Sequence, residues 1–194
     1  RSGKQMMHSA LKPKIDKKKC KGCGKCMRWC PGNAIMLVEK FAVIDKSKCL
    51  GCGECVVTCR NDAILVNWES GPAEMQERMI EFACGVLREK QREGKVGFYN
   101  FLIDITPDCD CLPWSDYPIV SDIGILASKD PVAIDQASID LVNKQPGMRN
   151  SVLKKAFEPG QDKFRDVRNV SWEPQLKHAE EMGLGKREYY LVEL

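Results

Sequence analysis

The sequence is short of histidine, aromatic residues and long apolar runs, and each shortage narrows what the chain can be. Two histidines, His8 and His178, are the only imidazoles available to a site. Aromatic residues make up 7% of the chain. The longest apolar runs, such as Ala34 to Val38, fall far short of the roughly 20 residues needed to cross a bilayer, so no membrane span is expected. The N-terminus, RSGKQMMHSALKPK, is basic but has neither an apolar core nor a small-residue cleavage site, so it is not read as a secretory signal. It also lacks an initiator Met, which makes the chain either processed or a piece of a longer protein. The expected setting is a cytoplasmic, anaerobic one.

What is present suffices for a packed core. Hydrophobic residues make up 43% of 194, enough for one ordinary globular domain or two small ones. The net charge of +3 conceals an asymmetry: residues 1–60 hold 14 Lys/Arg against 4 Asp/Glu, a balance of +10, and the remainder holds 16 against 23, a balance of −7. A basic first third raises the question of nucleic acid. The cations come without an aromatic stacking platform, however, and part of the excess offsets negative charge at the site described next.

Eight of the 11 cysteines fall into two runs of identical spacing: Cys20, Cys23, Cys26, Cys30 in KCKGCGKCMRWCP, and Cys49, Cys52, Cys55, Cys59 in KCLGCGECVVTCR. This CxxCxxCxxxC spacing holds 4Fe-4S clusters, with the fourth cysteine of each run ligating the other run's cluster. The first cluster is therefore assigned Cys20, Cys23, Cys26 and Cys59, and the second Cys49, Cys52, Cys55 and Cys30. Gly22, Gly24, Gly51 and Gly53 stand between ligands, where the missing side chains let backbone N–H groups approach the sulfurs. A zinc site would use four ligands, commonly in two separated CxxC pairs, and leaves the doubled three-plus-one pattern unexplained. A disulfide framework needs an oxidising compartment that no export signal supports.

The runs belong to an internal repeat with a shift of 29 residues, which aligns KCKGCGKC with KCLGCGEC and PGNAIMLV with RNDAILVN after a small offset. Each half reads as a loop, a turn of helix and a strand. The halves differ at one telling position: Pro31 follows Cys30, but Arg60 follows Cys59. A cation there favours the reduced, more negative state of the first cluster, so unequal potentials are expected.

Beyond Trp68, ESGPA reads as a linker and Pro72 as a helix start. A helix is expected over Ala73 to Glu93, with Met75, Met79, Phe82, Val86 and Leu87 on its apolar face, Cys84 near it as a buried small hydrophobe, and Gly94 as its stop. KVGFYNFLIDITPDCDC reads as a buried strand ending in a loop, and Ile119 to Ala127 as a second strand. A helix capped by Asp130 with Pro131 in its first turn follows. A further helix is expected from Glu173 to Met182, ended by Gly183, then a short strand around Tyr189 to Val192. His178 falls on that helix as a surface or packing residue. Between Asp104 and Asp140 lie eight Asp and one Lys, Lys129, with Cys109 and Cys111 among them. In an extended segment these two thiols point one way and Asp108 and Asp110 the other. Cys109, Cys111, Asp108, Asp110 and His8 make a candidate second site, for a soft metal, a redox dithiol or catalytic carboxylates; turn chemistry and capping is the alternative.

The run MHSALKPKI before the double motif, then VGFYNFLIDITPDCDCLPWSDYPIVSDIGILASKDPVAIDQASIDLV and the ending GLGKREYYLVEL, resembles the C-terminal part of the uncharacterised iron-sulfur-centre proteins grouped as domain of unknown function 362. The resemblance implies an α/β domain that precedes and surrounds a ferredoxin insert, and a chain lacking its N-terminal half. It implies His8, Cys109, Cys111, Asp116 and Asp135 as motif positions; Leu112 stands where a further Cys is often found.

The expected fold class is α+β, a two-cluster ferredoxin-type module at 12–68 joined to a partial α/β domain at 72–194 with 1–11. The expected work is one-electron transfer through two 4Fe-4S clusters with a redox protein as partner, as a carrier rather than a stand-alone enzyme. An oxidoreductase whose clusters feed the Asp/Cys region is the second reading, and a structural or nucleic-acid-binding iron-sulfur protein the third. Donor, acceptor and substrate are not named by the sequence, and a homo-oligomer is compatible with it.

Overall fold

A computed structural model describes Met7 and residues 12–67, 71–108 and 115–194. The fold is α+β, with antiparallel strand pairs and helices, and the contacts divide the chain into two units, Arg1–Arg78 and Met79–Leu194.

The first unit repeats itself. Strand β1 (Lys14–Ile15), helix α1 (Lys25–Arg28) and strand β2 (Ile35–Val38) form one half; strand β3 (Phe41–Ile44), helix α2 (Glu54–Thr58) and strand β4 (Ile64–Leu65) form the other. The halves are interlocked, because β1 pairs with β4 and β2 with β3, both antiparallel. The first strand of each half thus pairs with the last of the other. Backbone bonds recur at the 29-residue shift: Asp16 N–H donates to the Ala63 carbonyl and Asp45 N–H to the Ala34 carbonyl, each at 2.7 Å. Cys20 N–H donates to the Asp16 carbonyl and Cys49 N–H to the Asp45 carbonyl, each at 3.0 Å. Asn33 and Asp62 share the left-handed conformation, with φ of 46° and 47°. Helices of four and five residues do not stand alone in water, so the loops around them depend on tertiary support. That support is small: among the described residues Pro13, Gly24, Ala34, Ile35, Ala42, Gly51, Val56, Ala63 and Ile64 are its buried non-cysteine residues.

The second unit is built on helix α4. Helix α3 (Pro72–Arg92) begins at its proline and gives way to Gly94 at φ 67°. Strands β5 (Phe98–Leu102) and β6 (Gly124–Ser128) pair antiparallel. Helix α4 (Pro131–Lys144) is capped by Asp130, whose Oδ1 accepts from Val132 N–H at 2.8 Å and Ala133 N–H at 3.0 Å. Helices α5 (Lys163–Arg168) and α6 (Glu173–Glu181) follow. One apolar core joins Cys84, Val132, Leu176, Ala179 and Leu184; a second joins Leu102, Ile119, Val120, Val142 and Leu153. Helix α4 serves both, through Val132 near its start and Val142 near its end. Lys163 is fully buried, and its ammonium donates to the carbonyls of Asn143 at 2.9 Å, Glu158 at 3.2 Å and Gln161 at 3.4 Å.

Four expectations are corrected here. The inward stripe of α3 is Ile80, Cys84 and Leu87, at steps of four and three, whereas Phe82 and Val86 stand 53% and 62% exposed. Two residues either side of Cys84 is about 200° around a helix, so Phe82 and Val86 face away from it. Strand β5 is not buried throughout: Leu102 faces the core, and Tyr99 and Phe101 face outward. The next strand starts at Gly124, not Ile119. Ile119 and Val120 are buried without strand pairing, with Ile119 N–H donating to the Ile105 carbonyl and Ile119 O accepting from Met148 N–H, each at 2.8 Å. No strand forms at Tyr189 to Val192 either. That stretch follows side-chain anchors on α4: Arg187 Nε donates to Gln136 Oε1 at 2.8 Å and the Tyr189 hydroxyl to Asp140 Oδ2 at 2.9 Å.

Candidate metal centre

Helices α1 and α2 each begin after a glycine in the left-handed conformation, Gly24 at φ 70° and Gly53 at φ 75°. The αL step turns the chain so that Cys26 and Cys55, one residue into each helix, point inward and are buried. Gly22 is also left-handed, at φ 64°, and a Cβ there would sit 2.4 Å from the Lys40 carbonyl oxygen, so the first loop can close only with glycine at that position.

The eight motif cysteines come together as two quartets, each with three thiols from one run and the fourth from the other. Cys20, Cys23, Cys26 and Cys59 line one cavity, with Lys21, Gly22, Gly24, Lys25, Ala42, Asn61, Ala63 and Ile64. Cys30, Cys49, Cys52 and Cys55 line the other, where Pro13, Pro31, Leu50, Ile35 and Ile44 make an apolar wall and Glu54 is the one charged lining residue. The quartets are neighbours, since Cys26 of the first is among the groups felt by Cys55 of the second.

Electrostatics make these thiols costly to ionise unaided. Burial pushes the Cys55 thiol up to about 12, and Cys49, Cys52, Cys26 and Cys30 add to the shift. Burial also raises Cys26, opposed by the backbone N–H of Met27 and assisted by Cys23, Cys59 and Cys20. Gathering four sulfurs in one apolar place is unfavourable unless cations hold them together. Backbone donors are already aimed at three sulfurs: Ala42 N–H to Cys20 Sγ at 3.4 Å, Ala34 N–H to Cys30 Sγ at 3.3 Å and Gly51 N–H to Cys49 Sγ at 3.4 Å. All nine described cysteines are free thiols. Among the described residues no group of three or more His, Cys, Asp or Glu is arranged to hold a metal ion. A four-iron cube spreads its four thiolates over four metals, and that donor chemistry matches each quartet.

The second candidate site is only partly in view. His8, Cys109, Asp110, Cys111 and Leu112 lie outside the described residues. The Asp108 carboxylate is engaged by the Arg168 guanidinium. Asp116 is exposed, and its Oδ1 accepts from the N–H of Tyr117 at 2.8 Å. Asp135 sits half-buried on α4, its carboxyl raised above the usual range by burial and partly restored by Asn100 Nδ2, which donates to its Oδ1 at 2.9 Å and to Ser138 Oγ at 2.9 Å. His178 on α6 lies between the Glu81 and Glu181 carboxylates, at 3.8 and 3.9 Å. Sequence reasoning missed Asn100 and Arg168, because neither carries a spacing signal. It also passed over Lys21 and Lys25, which stand between the motif cysteines and were readable as lining residues. Among the described residues no helix is long and apolar enough to cross a membrane.

No curated protein matches the chain. A family profile described as a domain of unknown function, DUF362, matches residues 1–140 of the 194. That match covers both cysteine runs, β5, β6 and the first turns of α4, and the chain therefore belongs to the DUF362 family.

Proposed function

We propose that this chain is an iron-sulfur electron-transfer protein, carrying low-potential electrons through two 4Fe-4S clusters in a bacterial-type ferredoxin module. The first cluster is held by Cys20, Cys23, Cys26 and Cys59, the second by Cys49, Cys52, Cys55 and Cys30. The observation that carries this reading is the sorting of eight thiols into two three-plus-one quartets around adjacent cavities. When bound, such clusters supply reversible one-electron chemistry at potentials tuned by charge, hydrogen bonds and exposure.

The chain's own residues set those terms. Ala42, Ala34 and Gly51 present N–H groups to sulfur, which favours added negative charge. Buried Ala34, Ala63 and Ile64 keep water from the inner walls. Lys21 and Lys25 on the first cavity, with Arg60 beside Cys59, favour its reduced state; the second cavity has Glu54 on its lining and a single cation, Lys12, on the Cys49 carbonyl at 2.5 Å. The first cluster is therefore the one at higher potential. A redox protein is the partner, and an anaerobic cytoplasm the setting.

Iron and acid-labile sulfide counted per chain after anaerobic purification test the reading. About eight of each are expected, with two reducible signals by electron paramagnetic resonance. A colourless, iron-free preparation would end it. An oxidoreductase with an Asp/Cys site gains nothing from Asp108, whose carboxylate is taken by Arg168.

A further inference from the structure

We propose that the face around Cys23 is the docking surface for an acidic redox protein, and that electrons enter and leave the chain there. The inference rests on the electron-transfer reading above and adds the port and the chemistry of the partner.

Cys23 is the one exposed thiol of the eight, and every other member of the two quartets is buried or half-buried. Electron transfer falls off steeply with distance, so the exposed sulfur marks where a partner's cofactor can come nearest. Lys21 and Lys25 flank Cys23 on the same cavity. Lys17, Lys18 and Lys19 occupy the turn that leads into Cys20, and Arg60 follows Cys59; all four are exposed. None of these cations makes an ion pair among the described residues. Lys21 and Lys25 on the cavity, with Lys17, Lys18, Lys19 and Arg60 next to its ligands in the chain, outnumber Asp16 and Asp62 of the same loops and exceed what the small negative charge of one thiolate-bound cluster would take up, so a positive field is left facing solvent.

Exposed side chains follow Cys26 along helix α1 and at its end. The helix turns Cys26 inward and leaves Met27, Arg28 and Trp29 outward, with Trp29 61% exposed. Tryptophan and arginine are the side chains that most often anchor interfaces. The second quartet differs: its cavity is walled by Leu50, Pro13 and Pro31 with Glu54 as its lining charge, none of its thiols is exposed, and its neighbouring cation Lys12 is engaged, its ammonium donating to the Cys49 carbonyl at 2.5 Å. At the port one electron crosses to the partner, oxidising this chain and reducing the partner by one, with no bond made or broken and no proton moved.

The test uses the full chain, loaded and handled without oxygen, with an acidic flavodoxin as probe. Iron and sulfide are counted first; a chain without them overturns the electron-transfer reading and the port with it. For the loaded chain, flavin fluorescence gives the dissociation constant in about 50 and about 300 mM salt. The expected result is tight binding at low salt that weakens by about tenfold or more at high salt. Lys21→Gln with Lys25→Gln weakens it by about fivefold, whereas Lys46→Gln with Lys48→Gln, before the second run, changes it by less than about twofold. Visible absorption establishes that each variant keeps its clusters. Equal losses from the two pairs, or binding indifferent to salt, would overturn the port while leaving the clusters intact. Tighter, Lys21/Lys25-dependent binding of a uridine homopolymer would overturn it in favour of a nucleic-acid surface.

Discussion

The two halves of the first unit share a backbone but not a lining. Turn for turn they repeat: the αL glycine before each helix, the Asp carbonyl that accepts from the first cysteine, and the buried alanine that receives the other half's strand. What differs is chemical. The first cavity has two lysines and an exposed thiol, and the second a leucine, two prolines and a glutamate. The repeated backbone decides where sulfur goes, and the unrepeated side chains decide how the two sites differ in charge and access.

On the proposed reading, the comparison is broken most completely by removing the clusters. A chelator added without oxygen is expected to release the fold of residues 12–67, whose apolar core is too small for a module below about 70 residues, while α4 keeps its protection. Hydrogen exchange read separately over 12–67 and over α4 checks this; equal protection in both regions before and after would contradict it. Next in size is the loss of half the iron. Cys59→Ser lies in the second run but should cost the first cluster, lowering iron from about eight to about four per chain, and Cys30→Ser should do the reverse. The surviving paramagnetic signal identifies which cluster remains.

A smaller asymmetry lies in the glycines. Gly22→Ala meets the Lys40 carbonyl and should destabilise by about 3 kcal/mol or more, whereas Gly53→Ala, left-handed with nothing within 4 Å, should cost only about 1 kcal/mol. Denaturant titration of the loaded protein distinguishes them. Smallest is the shift in potential. Arg60→Gln removes one cation beside Cys59 and should lower the higher midpoint by a few tens of millivolts, leaving the lower one in place. A redox titration with identical midpoints in the parent chain would remove the asymmetry altogether.

Much of this was legible in the residues because it rests on local rules. The cysteine spacing and the 29-residue repeat gave the quartets, and Asp130 with Pro131 marked the start of α4. The rest depends on partners far along the chain. Ile119 and Val120 look like strand residues but are buried by a turn that bonds to Ile105 and Met148. On α3, Phe82 and Val86 are hydrophobic yet face solvent, and packing selects Ile80, Cys84 and Leu87 instead. Helix α5 is short and built around Lys163, a residue that sequence alone assigns to the surface. The pairing of Asp108 with Arg168 spans 60 positions, and no pattern announces it.

The borrowed fourth thiol carries a consequence for how such a chain comes into being. During synthesis the first three cysteines of the opening run leave the ribosome well before Cys59 exists, so neither quartet can be finished from its own segment.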